Sequence, residues 1–143
     1  MEHSLLRMSP TIRYALSGMA YMADEAGGRY AVVEEVAAAK KLPKDFLAKI
    51  FQRLAQRKFL LSRRGPGGGY TLSKRPDQTS LLDILECLDE TRDHVLCFVE
   101  NRKCDPKKPC VLHHTAESAE ALLRQALEKT TLADLKDRSH PFK

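Results

Sequence analysis

Gly65-Pro66-Gly67-Gly68-Gly69 places four glycines and a proline in five consecutive positions. Such a run enters neither a helix nor the middle of a sheet, because glycine surrenders the most backbone entropy there and proline has no N–H to donate. It forms a tight turn. Leu60-Leu61-Ser62-Arg63-Arg64 before it and Tyr70-Thr71-Leu72 after it are strand-like, so the stretch predicts a β-hairpin with a bare tip. A tip without side chains lets its backbone approach another molecule closely. With Arg63 and Arg64 at its base, it suits phosphate contacts at a minor groove. A merely structural hairpin is the alternative.

The residues ahead of the hairpin give it a context. Ser9-Pro10 opens a helix, with Ser9 as N-cap and Pro10 where a missing N–H costs nothing. Ile12, Leu16, Met19, Ala20 and Ala23 follow at helical spacing, and Gly27-Gly28 stops the run. Tyr30-Ala31-Val32 reads as a short extended link. Residues 34–41 form a brief helix with Val36 and Ala37 inward, and Leu42-Pro43 breaks it. A third helix spans residues 44–58. Its core face is Leu47, Ile50, Phe51 and Leu54; its outer face carries Lys44, Asp45, Lys49, Gln52, Arg53, Gln56 and Arg57. Two short helices joined by a tight turn are a weak signal alone. Followed by a basic hairpin, they predict a winged helix-turn-helix.

Charge supports a polyanionic partner. Residues 1–75 hold 14 Lys/Arg against 6 Asp/Glu, whereas residues 76–143 hold 10 against 13. Residues 40–64 alone carry nine basic side chains and one acid, Asp45. This asymmetry points the first half at nucleic acid, with a solvated basic face as the bland alternative. A chain of 143 residues, 43% hydrophobic, suits one ordinary globular domain. No apolar run approaches the ~20 residues of a membrane span, and Met1-Glu2-His3-Ser4 lacks a secretory layout. A cytoplasmic protein with no membrane partner is expected. No catalytic dyad or phosphate-cradling loop is present, so an enzyme is not.

The second half reads differently. Leu81, Ile84, Leu85 and Leu88 form one face of a helix, with Cys87 beside it as a packed core thiol. A long polar loop over residues 91–109 follows, of a length that is uncommon unless functional or disordered. A last helix over residues 111–130 carries Ala116, Ala119, Leu123, Ala126 and Leu127 along one stripe, fit to pack on the body or to pair with a second copy. The expected organisation is a DNA-binding domain over residues 1–80, a sensor helix, cysteine loop and dimerisation helix over 81–135, and a frayed tail over 136–143.

Cys97, Cys104 and Cys110 are separated by six and five residues, and His113 lies two residues beyond the last. Three thiolates and an imidazole make a plausible four-ligand set. Zinc sites of this composition usually contain a Cys-x-x-Cys turn, and none is present. Wider spacing on a loop is easier to reconcile with an iron–sulfur cluster, whose irons are bound from several directions. A zinc site or a thiol–disulfide switch stays open, as does a solvent-exposed His113 at a helix start; His114 is read as a bystander.

Several pieces together resemble the Rrf2 family of bacterial winged-helix regulators. They are Arg64-Gly65-Pro66-Gly67-Gly68-Gly69-Tyr70, Arg13-Tyr14-Ala15, Phe46-Leu47 with Phe51-Gln52-Arg53-Leu54, Leu88-Asp89-Glu90, and Thr131-Leu132-Ala133-Asp134-Leu135. The resemblance implies a mostly α fold with a small β wing: a winged helix-turn-helix DNA-binding domain plus a long C-terminal dimerisation helix. It also implies a homodimer on a palindromic operator in double-stranded DNA. The contacting residues it implies are Ser9, Thr11, Lys44, Asp45, Phe46, Lys49, Gln52, Arg53, Arg63, Arg64, Gly65, Pro66, Gly67 and Gly68. In cluster-binding members three cysteines occupy the places of Cys97, Cys104 and Cys110. In IscR-like members a histidine at the place of His113 completes a 2Fe–2S site, which is favoured here over 4Fe–4S. The chain departs from the family pattern in three places. The first cysteine gap is one residue longer than usual. Ala48 stands where an IscR-like recognition helix carries an acid, and Arg13 stands where NsrR-like sensors place a carboxylate ligand. Alternatives are the same regulator acting through thiol oxidation or a partner protein, and a small iron–sulfur electron carrier.

Overall fold

The computed structural model describes residues 8–88, 97, 99–100 and 102–135. Expectations for residues 1–7, for Asp89-Glu90 and the start of the loop, and for the tail at 136–143 lie outside the described residues.

Helix α1 (Pro10–Asp24) starts as its sequence dictates: the Ser9 hydroxyl accepts from the Ile12 N–H at 3.4 Å, and Pro10 takes the first turn. It is the central helix, burying Ile12, Ala15, Leu16, Met19 and Met22. Gly27 and Gly28, at φ +56° and +87°, turn the chain away from it. Helix α2 (Val33–Lys40) lies one residue ahead of the predicted span, because Lys41 adopts a left-handed φ of 55° and closes it. Helix α3 (Lys44–Gln56) ends two residues early. Lys58 turns left-handed at φ 65° and the Phe59 N–H bonds the Leu54 carbonyl at 2.8 Å, aiming the chain into the hairpin.

The predicted core face of α3 is the observed one: Leu47, Ile50, Phe51 and Leu54 are fully buried. Phe51 meets Tyr70 edge-on at 5.4 Å and covers Gly18, where an added Cβ would sit 2.8 Å from the ring. Phe51→Ala removes this wedge between α1, α3 and the hairpin. We expect it to lower the unfolding free energy by about 3–5 kcal/mol, read from urea denaturation.

Strands β1 (Leu60–Arg63) and β2 (Gly69–Leu72) pair antiparallel, with Leu60 opposite Leu72 and Arg63 opposite Gly69. The tip closes through the Gly68 N–H on the Gly65 carbonyl at 2.9 Å. The link at Tyr30-Ala31-Val32 is more than a spacer. Ala31 forms an antiparallel bridge to Tyr70, with N···O distances of 2.9 and 2.8 Å, and so flanks β2 on its other side.

Helix α4 (Leu81–Leu88) matches its predicted span and buries Leu81, Ile84 and Leu88, with Leu85 and Cys87 half-buried against the core. Helix α5 (His113–Lys129) starts two residues later than predicted and contains no buried residue. Leu127 leans on the core and Arg124 pairs with Glu86 at 2.8 Å, whereas Leu122 and Leu123 are exposed. The chain then returns to where α4 began. Ser80 bridges Thr131, Leu81 N–H bonds the Thr130 carbonyl at 2.8 Å, and Leu132 N–H bonds the Thr79 carbonyl at 3.0 Å. Leu132 is buried and joins the core. The architecture is mostly α with a small β wing, as expected.

Candidate nucleic-acid interface and thiol centre

Helix α3 sets its polar face outward because its four apolar positions are committed to the core. Lys44, Asp45, Lys49 and Gln52 are all exposed. Asp45 sits in the first turn, where the helix dipole favours an acid, and Lys44 lies 3.4 Å from Glu34. Phe46 is also exposed, resting edge-on against Tyr14 at 5.7 Å. Arg53 differs. It is half-buried, and its guanidinium donates to the Leu88 carbonyl at 3.0 Å, tying α3 to the end of α4. Ser9 is exposed with its hydroxyl engaged as the α1 cap, and Thr11 is half-buried.

In the wing, Arg63, Arg64, Gly65, Pro66 and Gly67 are exposed. Gly68 is buried: a Cβ there would lie 2.3 Å from the Arg63 carbonyl oxygen, so only glycine closes this turn. The Arg63 guanidinium lies over the Tyr30 ring, 4.2 Å from its centroid.

A second site lies on the loop ahead of α5. The sulfur atoms of Cys97, Cys104 and Cys110 all lie within 4.8 Å of one another. They line a cavity of about 290 Å³ with Glu100, Arg102, Lys103, Asp105 and Lys108. Local turns hold the three in place. Cys97 N–H bonds the Arg102 carbonyl at 2.8 Å, the Asp105 carboxylate accepts from Lys107 N–H at 2.9 Å, and His113 N–H bonds the Cys110 carbonyl at 3.1 Å. The backbone N–H groups of Glu100 and Val99 point at the Cys97 sulfur and hold its pKa below the ordinary thiol range. The Cys110 thiol is pushed up, chiefly by its hydrogen bond to Cys97. Arg102 pairs with Glu100, and three cationic side chains stand around a set of groups that become anionic on metal binding.

His113 is not in the group. Its ring lies edge-on to His114, with centroids 5.4 Å apart, at the start of α5. Cys87 stands apart on α4, its thiol pushed up by burial, in keeping with a packed core residue. Sequence reasoning missed Tyr30 under Arg63 and the Arg53–Leu88 bond. It also missed the cations around the cysteines, whose signal was the four basic residues between 102 and 108.

A helix-turn-helix with a glycine-tipped wing, joined to a three-thiol loop, defines a regulator of transcription rather than an enzyme. The Rrf2 family model, described as an iron-dependent transcriptional regulator, matches residues 8–138, and the chain belongs to that family. A protein of Aquifex aeolicus (strain VF5) that carries the name of an HTH-type transcriptional regulator is 36% identical over 129 residues, 89% of each chain. The HTH-type transcriptional regulator IscR of Sodalis glossinidius (strain morsitans) is 27% identical over 130 residues, 91% of this chain and 81% of that protein. Among solved structures, CymR, the global cysteine regulator of B. subtilis, superposes with a TM-score of 0.75 at 25% identity, covering 95% of this chain and 100% of its own. Among the described residues, no helix is long and apolar enough to cross a membrane.

Proposed function

We propose that this regulator is a cytoplasmic homodimer that binds a palindromic operator and senses iron–sulfur status, redox state or nitric oxide through a cluster on its cysteine loop. In this reading residues 1–80 bind DNA, residues 81–135 sense and pair, and α5 supplies the dimer contact through Ala119, Leu122, Leu123 and Ala126. The convergence of three thiols within 4.8 Å carries the sensing part. The donor set fits: soft sulfur ligands suit iron, backbone N–H groups support one of them, and the lining carries three cations against the two carboxylates Glu100 and Asp105. Cys97, Cys104 and Cys110 would hold the group, with His113 as the fourth ligand and a 2Fe–2S form favoured. The group, when bound, would supply a redox- and nitric-oxide-responsive centre.

DNA contact would combine phosphate binding by Arg63, Arg64, the wing backbone at Gly65–Gly68 and the α1 start at Ser9 and Thr11 with base-edge contacts from α3. Lys49 offers donors to guanine, Gln52 suits adenine, and Phe46 suits a thymine methyl; Lys44, Asp45 and Arg53 complete the surface. Replacing both Arg63 and Arg64 by alanine should weaken binding to every sequence and lower the slope of log affinity against log salt by about 1–2. Fluorescence anisotropy across a salt series reads it; an unchanged slope removes the wing from the interface.

The sensing part is tested by purification without oxygen, with visible absorption recorded beside iron and sulfide analysis. Charge-transfer bands with matching iron and sulfide are expected. A colourless protein that stays colourless after reconstitution favours a second reading, in which the same three thiols act by oxidation. Their mutual proximity supports that reading. Membership in a family of transcriptional regulators sets aside the electron-carrier alternative.

A further inference from the structure

We propose that Tyr30 is a positioning residue for DNA binding: its ring holds the Arg63 guanidinium at the root of the wing, pre-set for a phosphate. The proposal rests on the DNA-binding reading above and deepens it. Arg63 stacks 4.2 Å from the Tyr30 centroid, which occupies the face of the guanidinium and leaves the N–H groups in its plane for an anion. Arg29, Arg75, Arg102 and Arg124 are each paired with a carboxylate, whereas among the described residues Arg63 has none.

The register explains how the two meet. Arg63 lies directly opposite Gly69, and the link that carries Tyr30 flanks β2 at the next residue through the Ala31–Tyr70 bridge. Gly69 has no side chain, which lets the Ala31 backbone close in on β2 and brings the link to the root of the wing. A long side chain starting at the end of β1 is within reach of it there.

Tyr30 is itself held. Ala31, next in sequence, is bonded twice to Tyr70, and Arg29, just before, grips Glu35 with two hydrogen bonds of 2.8 and 3.0 Å. A guanidinium docked on an anchored ring loses less rotamer freedom when it meets DNA than one swinging in solvent. Arg64, the next residue, is exposed and among the described residues has no such ring contact, which makes it the internal control.

The test is anisotropy of a labelled mixed-sequence duplex against the full chain and its variants over a salt series. Arg63→Ala should lower the salt slope by about one. Tyr30→Leu keeps every charge, so it should weaken binding about threefold with the slope unchanged, the size of a partly exposed stack. Tyr30→Phe should bind like the parent. Tyr30→Leu should add nothing in an Arg63→Ala background and retain its threefold effect beside Arg64→Ala. Arg63→Lys approaches from the other side and should mimic Tyr30→Leu, which keeps the test alive if Tyr30→Leu does not fold. Equal losses with and without Arg63 would overturn the positioning role. So would an Arg63→Lys variant that binds like the parent. Failure of the parent chain to bind the duplex at low salt would instead overturn the DNA-binding reading beneath it.

Discussion

Gly69→Ala is expected to lower stability by about 3 kcal/mol and to reduce DNA binding by more than tenfold. Gly69 sits at φ +124°, and a Cβ there would lie 2.3 Å from the Ala31 carbonyl oxygen, a backbone atom that no side-chain rotation can move. The strained conformation costs about 1–3 kcal/mol in a residue with a side chain. Relief by separating β2 from Ala31 sacrifices the two hydrogen bonds between Ala31 and Tyr70, each contributing about 1 kcal/mol. It also shifts the wing root that carries Arg63. Gly67→Ala is the matching control. It has φ +73° but nothing within 4 Å, so only the cost of the left-handed conformation, about 1–2 kcal/mol, applies. Urea denaturation and anisotropy on the same samples separate the two. Equal effects at positions 67 and 69 would mean that the close approach to Ala31 contributes nothing.

Cys104→Ala is expected to abolish bound iron and sulfide and with them the visible absorption of anaerobically prepared protein. It removes one of three sulfurs that converge within 4.8 Å, and two thiols cannot close the same donor set. Salt-dependent binding to mixed-sequence DNA should stay within about twofold of the parent, because the phosphate contacts proposed above lie on other elements. Cys87→Ala is the thiol control. It lies half-buried against the core, so it should keep full iron content while costing about 1 kcal/mol of stability. Iron retained in Cys104→Ala but lost in Cys87→Ala would reverse the assignment.

Local chemistry made much of this fold legible. The Ser9 cap, the Leu47-Ile50-Phe51-Leu54 face and the glycine tip announce themselves within a few residues, and each stands where it was expected. Helix ends moved by one or two residues because Lys41 and Lys58 adopt left-handed conformations for which lysine gives no warning. What the sequence did not disclose is pairing across distance. The bridge from Ala31 to Tyr70, the stack of Arg63 on Tyr30 and the bond from Arg53 to Leu88 join residues 33 to 39 positions apart, and nothing local marks either partner. The thiol site was half legible. Spacing picked out Cys97, Cys104 and Cys110, and they meet; the same spacing added His113, whose ring lies edge-on to His114 at the start of α5, outside the group of three.

The bridge between Ser80 and Thr131 makes everything between them an excursion that starts and finishes at one stitch. Lengthening such an excursion leaves both of its ends in place. Its entropic cost grows only with the logarithm of its length, about 0.6 kcal/mol for each doubling. Helix α4 belongs to the body itself, since Leu81, Ile84 and Leu88 are buried in the core and Leu88 accepts from Arg53, so this tolerance falls on the chain between α4 and α5. Residues added there leave α4 on the α1–α3 body and the return at Thr131 in place. Length can change in that segment while the helices and the wing keep their register.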